Sequence, residues 1–266
     1  MPKQTHDFNM TLSDKPVPLI SDYILECEEN GISFKSIRNQ IITPMKTRFI
    51  GTYEMNKLIR NILNPSSISE LGLPRYKWED KLPVHVSIGD KVVCTENTYD
   101  MRDYRERYEN WLDDYMPDVR SFIPTPESKI MLNGETGVIT DILVDGSLEV
   151  DFGDRTVEIP AMYEEFWAKQ DRLIDAQPLR SINLAYALTT HKAQGSEYDH
   201  IAYLINSSMF YLLSRQNFYT AVTRARKSVQ IFTDQRGLQT AIRQTQRDID
   251  LRNQKAKDKK KSLVKK

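Results

Sequence analysis

Only two cysteines, Cys27 and Cys94, occur among the 266 residues. They stand far apart and in no metal-ligand spacing. That excludes a disulfide framework or a paired-cysteine zinc site and fits a reduced intracellular compartment. No apolar run approaches the roughly 20 residues a membrane helix needs, and the opening MPKQTHDFNM has no apolar secretory core. The expectation is a cytoplasmic protein with no membrane partner. Neither charge is in excess: 37 basic side chains face 37 acidic ones. A uniformly basic nucleic-acid coat is thereby excluded, and any polyanion must be met by a local patch. The chain also contains no G-x-x-x-x-G-K-[ST] loop, no hydrophobic strand ending in Asp-Glu and no Gly-Asp-x-x-Gln segment. It therefore has no self-sufficient cradle for a triphosphate.

The apolar content, 39%, is enough for a core, and the length suits two modest domains. In PLISDYILECEENG, the residues Ile20, Tyr23, Ile24 and Cys27 share a helical face, and Asn30-Gly31 marks the end. NQIITP reads as a buried strand ending at Thr43. GTYEMNKLIRNILNP places Met55, Leu58, Ile59 and Ile62 at helical spacing and stops at Asn64-Pro65. This alternation predicts an α/β layer with a mostly parallel sheet. After about Pro65 the pattern changes to short β-rich runs (SIGDKVVCTEN, GETGVITDIL, GSLEVDF, RTVEIP) separated by Gly and Asp turns, as in a small antiparallel barrel. Within them lies a charged, aromatic segment that carries Tyr104, Tyr108, Trp111 and Tyr115 on one helical stripe. It reads as a helix packed on the barrel, because Glu106, Glu109, Asp113 and Asp114 oppose a polyanion. From about Ile182 the α/β pattern returns with NLAYALT, HIAYLI and SVQIFT as strands. RQNFYTAVTRARK and GLQTAIRQTQRDIDL are its helices. The expected organisation is an α/β domain over residues 1–80 and 178–247 and an inserted barrel over 81–177. An extra helix at about 100–118 and a basic, disordered tail at 248–266 complete it.

Two stretches carry chemistry. In LTTHKAQGSEYDH, polar residues mass after an apolar strand, where open α/β sheets bind ligands. Thr189, Thr190, His191 and Lys192 are compact phosphate donors, Gly195 allows close backbone approach, and Glu197 suits a sugar hydroxyl. Taken singly, each reads as an ordinary polar loop residue. In NFYTAVTRARKSVQIF, Thr220, Thr223 and Arg224 share a helical face, with Tyr219 and Val222 expected toward the core. An isolated surface Arg contributes little. An Arg aimed at a γ-phosphate is worth about 10³–10⁵ in rate, because its charged planar fork holds two phosphate oxygens.

In this order and with this gap, the two stretches resemble superfamily 1 DNA helicases of the RecD-like branch. LAYALTTHKAQGSEYDHI is similar to that family's motif V and NFYTAVTRARKSVQIF to its motif VI. IITPMKTRFIGTYEMNKLIRNILNP resembles the segment around motif IV, where the second motor domain begins. The run GDKVVCTEN, NGETGVITDI, LEVDFGDRTVEI resembles the Src-homology-3-like (SH3-like) barrel inserted into that domain. The resemblance spans about Gln40 to Gln239. It implies a RecA-like, P-loop-NTPase-type α/β parallel-sheet domain lacking the P-loop and interrupted by an SH3-like β-barrel.

By the same resemblance, Arg224 is the finger on the γ-phosphate and Gly195 offers its amide to that phosphate. Glu197 contacts the ribose, and Gln194 couples nucleotide to DNA. Lys46 is a further phosphate contact, with Arg48 nearby as a substitute. Thr43, Thr189 and His191 hold single-stranded DNA. ATP and Mg²⁺ are implied as cofactors shared with a complementary P-loop helicase half, and no metal site belongs to this chain. Two other readings stay open: a non-enzymatic single-stranded DNA-binding or regulatory module derived from a helicase, and a truncated remnant.

Overall fold

The computed structural model describes residues 7–65, 71–73, 84–99, 129–161, 163–167, 172–176 and 178–264. The helix expected at about 100–118 lies outside the described residues. The chain forms two compact units, residues 1–63 with 186–266, and residues 64–185.

The first unit is built on a sheet of β1 (Asp7–Leu12), β2 (Asn39–Thr43), β3 (Ala187–Thr189), β4 (Tyr198–Leu204) and β5 (Ala225–Thr233). Its order is β1-β5-β4-β2-β3, with every pairing parallel. All five residues of β2 are buried, the polar Asn39, Gln40 and Thr43 together with the apolar Ile41 and Ile42, as in strands covered on both faces. Helices α1 (Pro16–Glu29), α2 (Thr52–Leu63) and α3 (Arg215–Val222) pack against the sheet's strands, and α4 (Gln235–Arg243) and α5 (Gln246–Val264) follow at the C-terminal end. Successive residues of β5 point to opposite faces. On one face Phe232 meets Tyr23 of α1, ring centroids 5.3 Å apart. On the other, Tyr203, opposite Ile231, meets Phe218 of α3 at 5.8 Å. Ile20, Ile24 and Cys27 are the buried stripe of α1, and Met55 and Ile59 that of α2, as their spacing predicts. Strand β3 is an outer strand, and α2 completes it with a side chain. The Asn56 amide donates to the Ala187 carbonyl at 3.1 Å and accepts the Ala187 N–H at 2.8 Å.

Three expectations need correction. NLAYALT is not one strand: Ile182–Leu184 pairs antiparallel with Lys91–Cys94 in the second unit, and Ala187–Thr189 pairs parallel with β2. The boundary between units cuts through this apolar run, where periodicity gives no break. Tyr219 does not face the core; it is 67% exposed. The inward face of α3 is carried by Ser214, Phe218 and Ala221, one position out of phase with the expected one. Finally, GLQTAIRQTQRDIDL is two helices, and the expected disordered tail is the body of the second. The break comes at Gln244, whose backbone is extended, and a reciprocal cap then restarts the helix. Asp248 accepts the Thr245 N–H at 2.9 Å, and Thr245 Oγ1 accepts the Asp248 N–H at 3.3 Å. Lys, Arg, Gln and Ala beyond the cap are good helix formers, so low apolar content did not preclude order.

The second unit holds a five-stranded antiparallel sheet, in the order Thr156–Ile159, Leu148–Asp151, Thr136–Ile142, Lys91–Cys94, Ile182–Leu184. Val86, Val92, Met131, Ile139, Leu148, Val150 and Ile159 fill its core. Gly137 has no room for a side chain: a Cβ there would lie 2.5 Å from Val150 Cγ1 and 2.8 Å from the Asp151 carbonyl. Lys91 is wholly buried, and loss of hydration lowers its ammonium pKa to about 7.

Candidate functional site

Because the strands of the first sheet are parallel, its two edges are chemically distinct. The carboxyl edge carries the turns that leave β2 and β3, and the amino edge carries the turns that enter β4 and β5. At about 3.3 Å per residue, strands of this length hold the edges on the order of 15–25 Å apart. The predicted residues do not gather at one edge, as the sequence suggested, but divide between the two.

At the carboxyl edge, a cavity of about 480 Å³ is lined by Met45, Lys46, Thr189, His191, Lys192 and Tyr211, among others. His191 and Lys46 are exposed, and Thr189 is nearly covered. Lys46, expected beside the nucleotide, therefore lines the same cavity as Thr189 and His191. Thr43 is fully buried and its hydroxyl has no hydrogen-bond partner. It lies out of reach of a surface ligand, and its carbonyl instead receives the Thr190 N–H at 3.1 Å. Gly51 closes the Lys46–Gly51 turn at the start of α2. A Cβ at that position would fall 2.1 Å from the Thr47 carbonyl oxygen.

At the amino edge, Gly195, Glu197 and Arg224 come together. Gly195 is exposed with φ of 92°, in the region that favours glycine. The Tyr198 N–H donates to the Arg224 carbonyl at 2.8 Å, so the residue after Glu197 is bonded directly to the arginine's backbone. The Arg224 side chain folds back on its helix: Nε donates to the Thr220 carbonyl at 3.2 Å, and Nη2 lies 3.5 Å from Thr223 Oγ1. It is half-buried at the sheet's rim and does not project freely. Sequence reading missed Arg226, whose guanidinium pairs with the Glu197 carboxylate at 2.9 Å. Beside them Lys227 bonds Asp199 at 2.9 Å and holds its carboxyl pKa below the ordinary range. Burial, and secondly Lys227, lowers the pKa of His200. The signal for Arg226 was present in TRARK, but its partner is set by the β4–β5 register. Gln194 is exposed on the same connection.

The two edges are joined twice. The connection 190–197 runs from the end of β3 to the start of β4, and α3 runs from beyond the end of β4 to Arg224. A polar cluster cross-links them. Asn217 Oδ1 accepts the Thr190 hydroxyl at 3.1 Å and the Tyr203 phenol at 2.9 Å. Tyr203 is fully buried, and burial raises its pKa. Among the described residues no cluster of His, Cys, Asp and Glu is arranged to hold a metal ion, and no helix is long and apolar enough to cross a membrane.

A family model of the UvrD-like helicase C-terminal domain matches residues 184–231, which include both motif-bearing connections. The RecBCD enzyme subunit RecD of Buchnera aphidicola subsp. Schizaphis graminum is 30% identical over 75% of this chain and 25% of its own length. The ATP-dependent RecD2 DNA helicase of Deinococcus radiodurans is 27% identical over 70% of this chain and 19% of its own. The chain belongs with the C-terminal halves of RecD-like superfamily 1 helicases. It spans a tenth to a quarter of the length of such relatives; the RecD subunit of Haemophilus influenzae, 43% identical over 23% of this chain, is covered for 10%. The parallel sheet flanked by helices is accordingly a RecA-like α/β domain. Among solved structures, Pif1 helicase from Candida albicans superposes with a TM-score of 0.44 at 13% identity, covering 90% of this chain and 54% of that one.

Proposed function

We propose that the chain is the C-terminal motor half of an ATP-dependent DNA helicase, completed by a P-loop half that binds ATP and Mg²⁺. The observation that carries this reading is the meeting of Glu197 and Arg224 at one edge while His191, Thr189 and Lys46 occupy the other. A nucleotide arriving with the partner half meets Arg224, which swings from the Thr220 carbonyl onto the γ-phosphate and stabilises its developing charge. Gly195 contributes its backbone amide, and Glu197 exchanges Arg226 for a ribose hydroxyl. At the opposite edge His191, Thr189 and Lys46 hold the phosphates of a single strand. The 190–197 connection, with Gln194, and α3 tie grip to nucleotide state through Asn217, so closure of the cleft alternates the hold on the strand. Translocation runs 5′ to 3′ by resemblance. The unit at 64–185 takes the role of the SH3-like insertion.

One observation favours the rival, a strand-binding module without motor activity. Arg224 and Glu197 already have partners within the chain, so the amino edge is self-satisfied without a nucleotide. Both readings share the division of edges, which is testable on the chain alone, and ATP turnover on mixing with a P-loop half separates them. His191→Ala should weaken binding of an oligothymidylate, while Arg224→Ala should leave it unchanged. Equal loss from both would make Arg224 a strand contact and remove the finger assignment.

A further inference from the structure

The segment between β4 and α3 carries two aromatic residues that no motif accounts for. Phe210 and Tyr211 stand edge to face with ring centroids 5.4 Å apart. Phe210 is 48% exposed, and Tyr211 borders the carboxyl-edge cavity beside Lys46, His191 and Lys192. Each ring has a guanidinium over it: Arg48 at 5.8 Å from the Tyr211 centroid, and Arg252 at 5.2 Å from that of Phe210. Among the described residues, no carboxylate lines the cavity.

The arrangement is held in place from three directions. Gln244 donates to the carbonyls of both Phe210 and Leu213 at 2.7 Å. Arg252 of α5 donates to the same glutamine at 2.8 Å. Arg48 reaches the Ser208 carbonyl at 3.4 Å from a backbone with φ of 74°, the one positive value among the described non-glycine residues. A side chain held in that region costs about 1 kcal/mol, and such strain collects at ligand sites. An exposed ring and a half-buried one fixed in position, with cations around them and no acidic residue among the described ones lining the cavity, are the elements that bind unpaired bases while the cations follow the backbone.

We propose that Phe210 and Tyr211 form a base-stacking subsite for a single-stranded polynucleotide, with Lys46, Arg48, Lys192 and Arg252 holding the adjoining phosphates. The rings are perpendicular, so successive bases splay apart and take one ring each. Arg252 brings α5 into the site, which gives the basic C-terminal helix a part in strand binding. This deepens the strand-binding reading of the carboxyl edge and rests on it.

The test measures binding of short oligothymidylate, oligouridylate and a base-free phosphodiester oligomer of equal length to the full chain, by fluorescence anisotropy. Tyr211→Ala should weaken binding of base-bearing oligomers by about 5- to 100-fold and leave the base-free oligomer unchanged. Tyr211→Phe and Tyr211→Trp should retain wild-type affinity, which separates stacking from loss of folding. A 2-aminopurine in the oligomer should be quenched on binding to the wild type and not to Tyr211→Ala. Loss on oligothymidylate alone or on both base-bearing oligomers supports the subsite and assigns its source as DNA only or as any single strand. Equal loss on base-bearing and base-free oligomers, or no loss on either, overturns it. A wild-type chain that binds none of the three overturns the carboxyl-edge reading together with the subsite.

Discussion

Replacing Asn217 with leucine isolates the cross-link between the two edges. The substitution removes one acceptor that serves two hydroxyls, Thr190 at 3.1 Å and Tyr203 at 2.9 Å, both on nearly or fully buried residues. Both hydroxyls share that one acceptor, so its removal leaves at least one donor unmet. A buried unmet donor costs about 1–3 kcal/mol, and that is the expected loss. Adding Thr190→Val leaves the phenol alone without a partner. Adding Tyr203→Phe as well removes the last orphan, and the triple variant should recover most of the loss, because an apolar replacement of a whole polar cluster is nearly neutral. The assay must follow the right unit. All three tryptophans, Trp78, Trp111 and Trp167, belong to the 64–185 unit, so their fluorescence does not report the cross-linked one. Hydrogen exchange at the β4 amides does. A single variant as protected as the wild type, or a triple variant less stable than the single, would refute the reasoning.

Three further outcomes are expected. The 64–185 unit should gain stability with rising pH by up to about 1.4 kcal/mol per unit. Its Lys91 pKa is lowered to about 7 from 10.5, so between those values the unfolded chain binds the proton that the folded one releases, and the slope should level off on either side. Tryptophan-monitored urea unfolding of wild type and Lys91→Met checks this, since the variant should lose the slope. Gly51→Ala should destabilise the first unit by about 2–4 kcal/mol and weaken oligothymidylate binding, because the added carbon collides with the Thr47 carbonyl; unchanged exchange in α2 would contradict it. Asp248→Ala removes a reciprocal cap and should lower the helicity of Gln246–Val264, read from the circular dichroism of wild type and variant.

Much of the first unit was legible because its central strands are largely buried and its helices are amphipathic. Ile20, Ile24, Met55 and Ile59 fell where their spacing placed them. The run Ile182–Thr189 was misread because a chain can change sheets without changing hydropathy. The lysine-rich end was misread because helix propensity and capping act without apolar residues. In the site, LTTHKAQGSEYDH was read as one cluster, and only the parallel register reveals that its two ends lie at opposite edges. That register also pulls Lys46 away from the nucleotide group and buries Thr43. Arg226 and Asn217 act through partners 29 and 27 residues away, Glu197 and Thr190, and no local pattern encodes such pairings.

The most direct measurement is strand-stimulated ATP hydrolysis by the chain mixed with a RecD-like P-loop half. Neither polypeptide should turn over ATP alone, and the mixture should. Arg224→Ala should then lower the turnover by about 10³-fold or more while oligothymidylate binding persists. Turnover by the mixture that is indifferent to Arg224→Ala would contradict the assignment of this arginine to the other half's nucleotide.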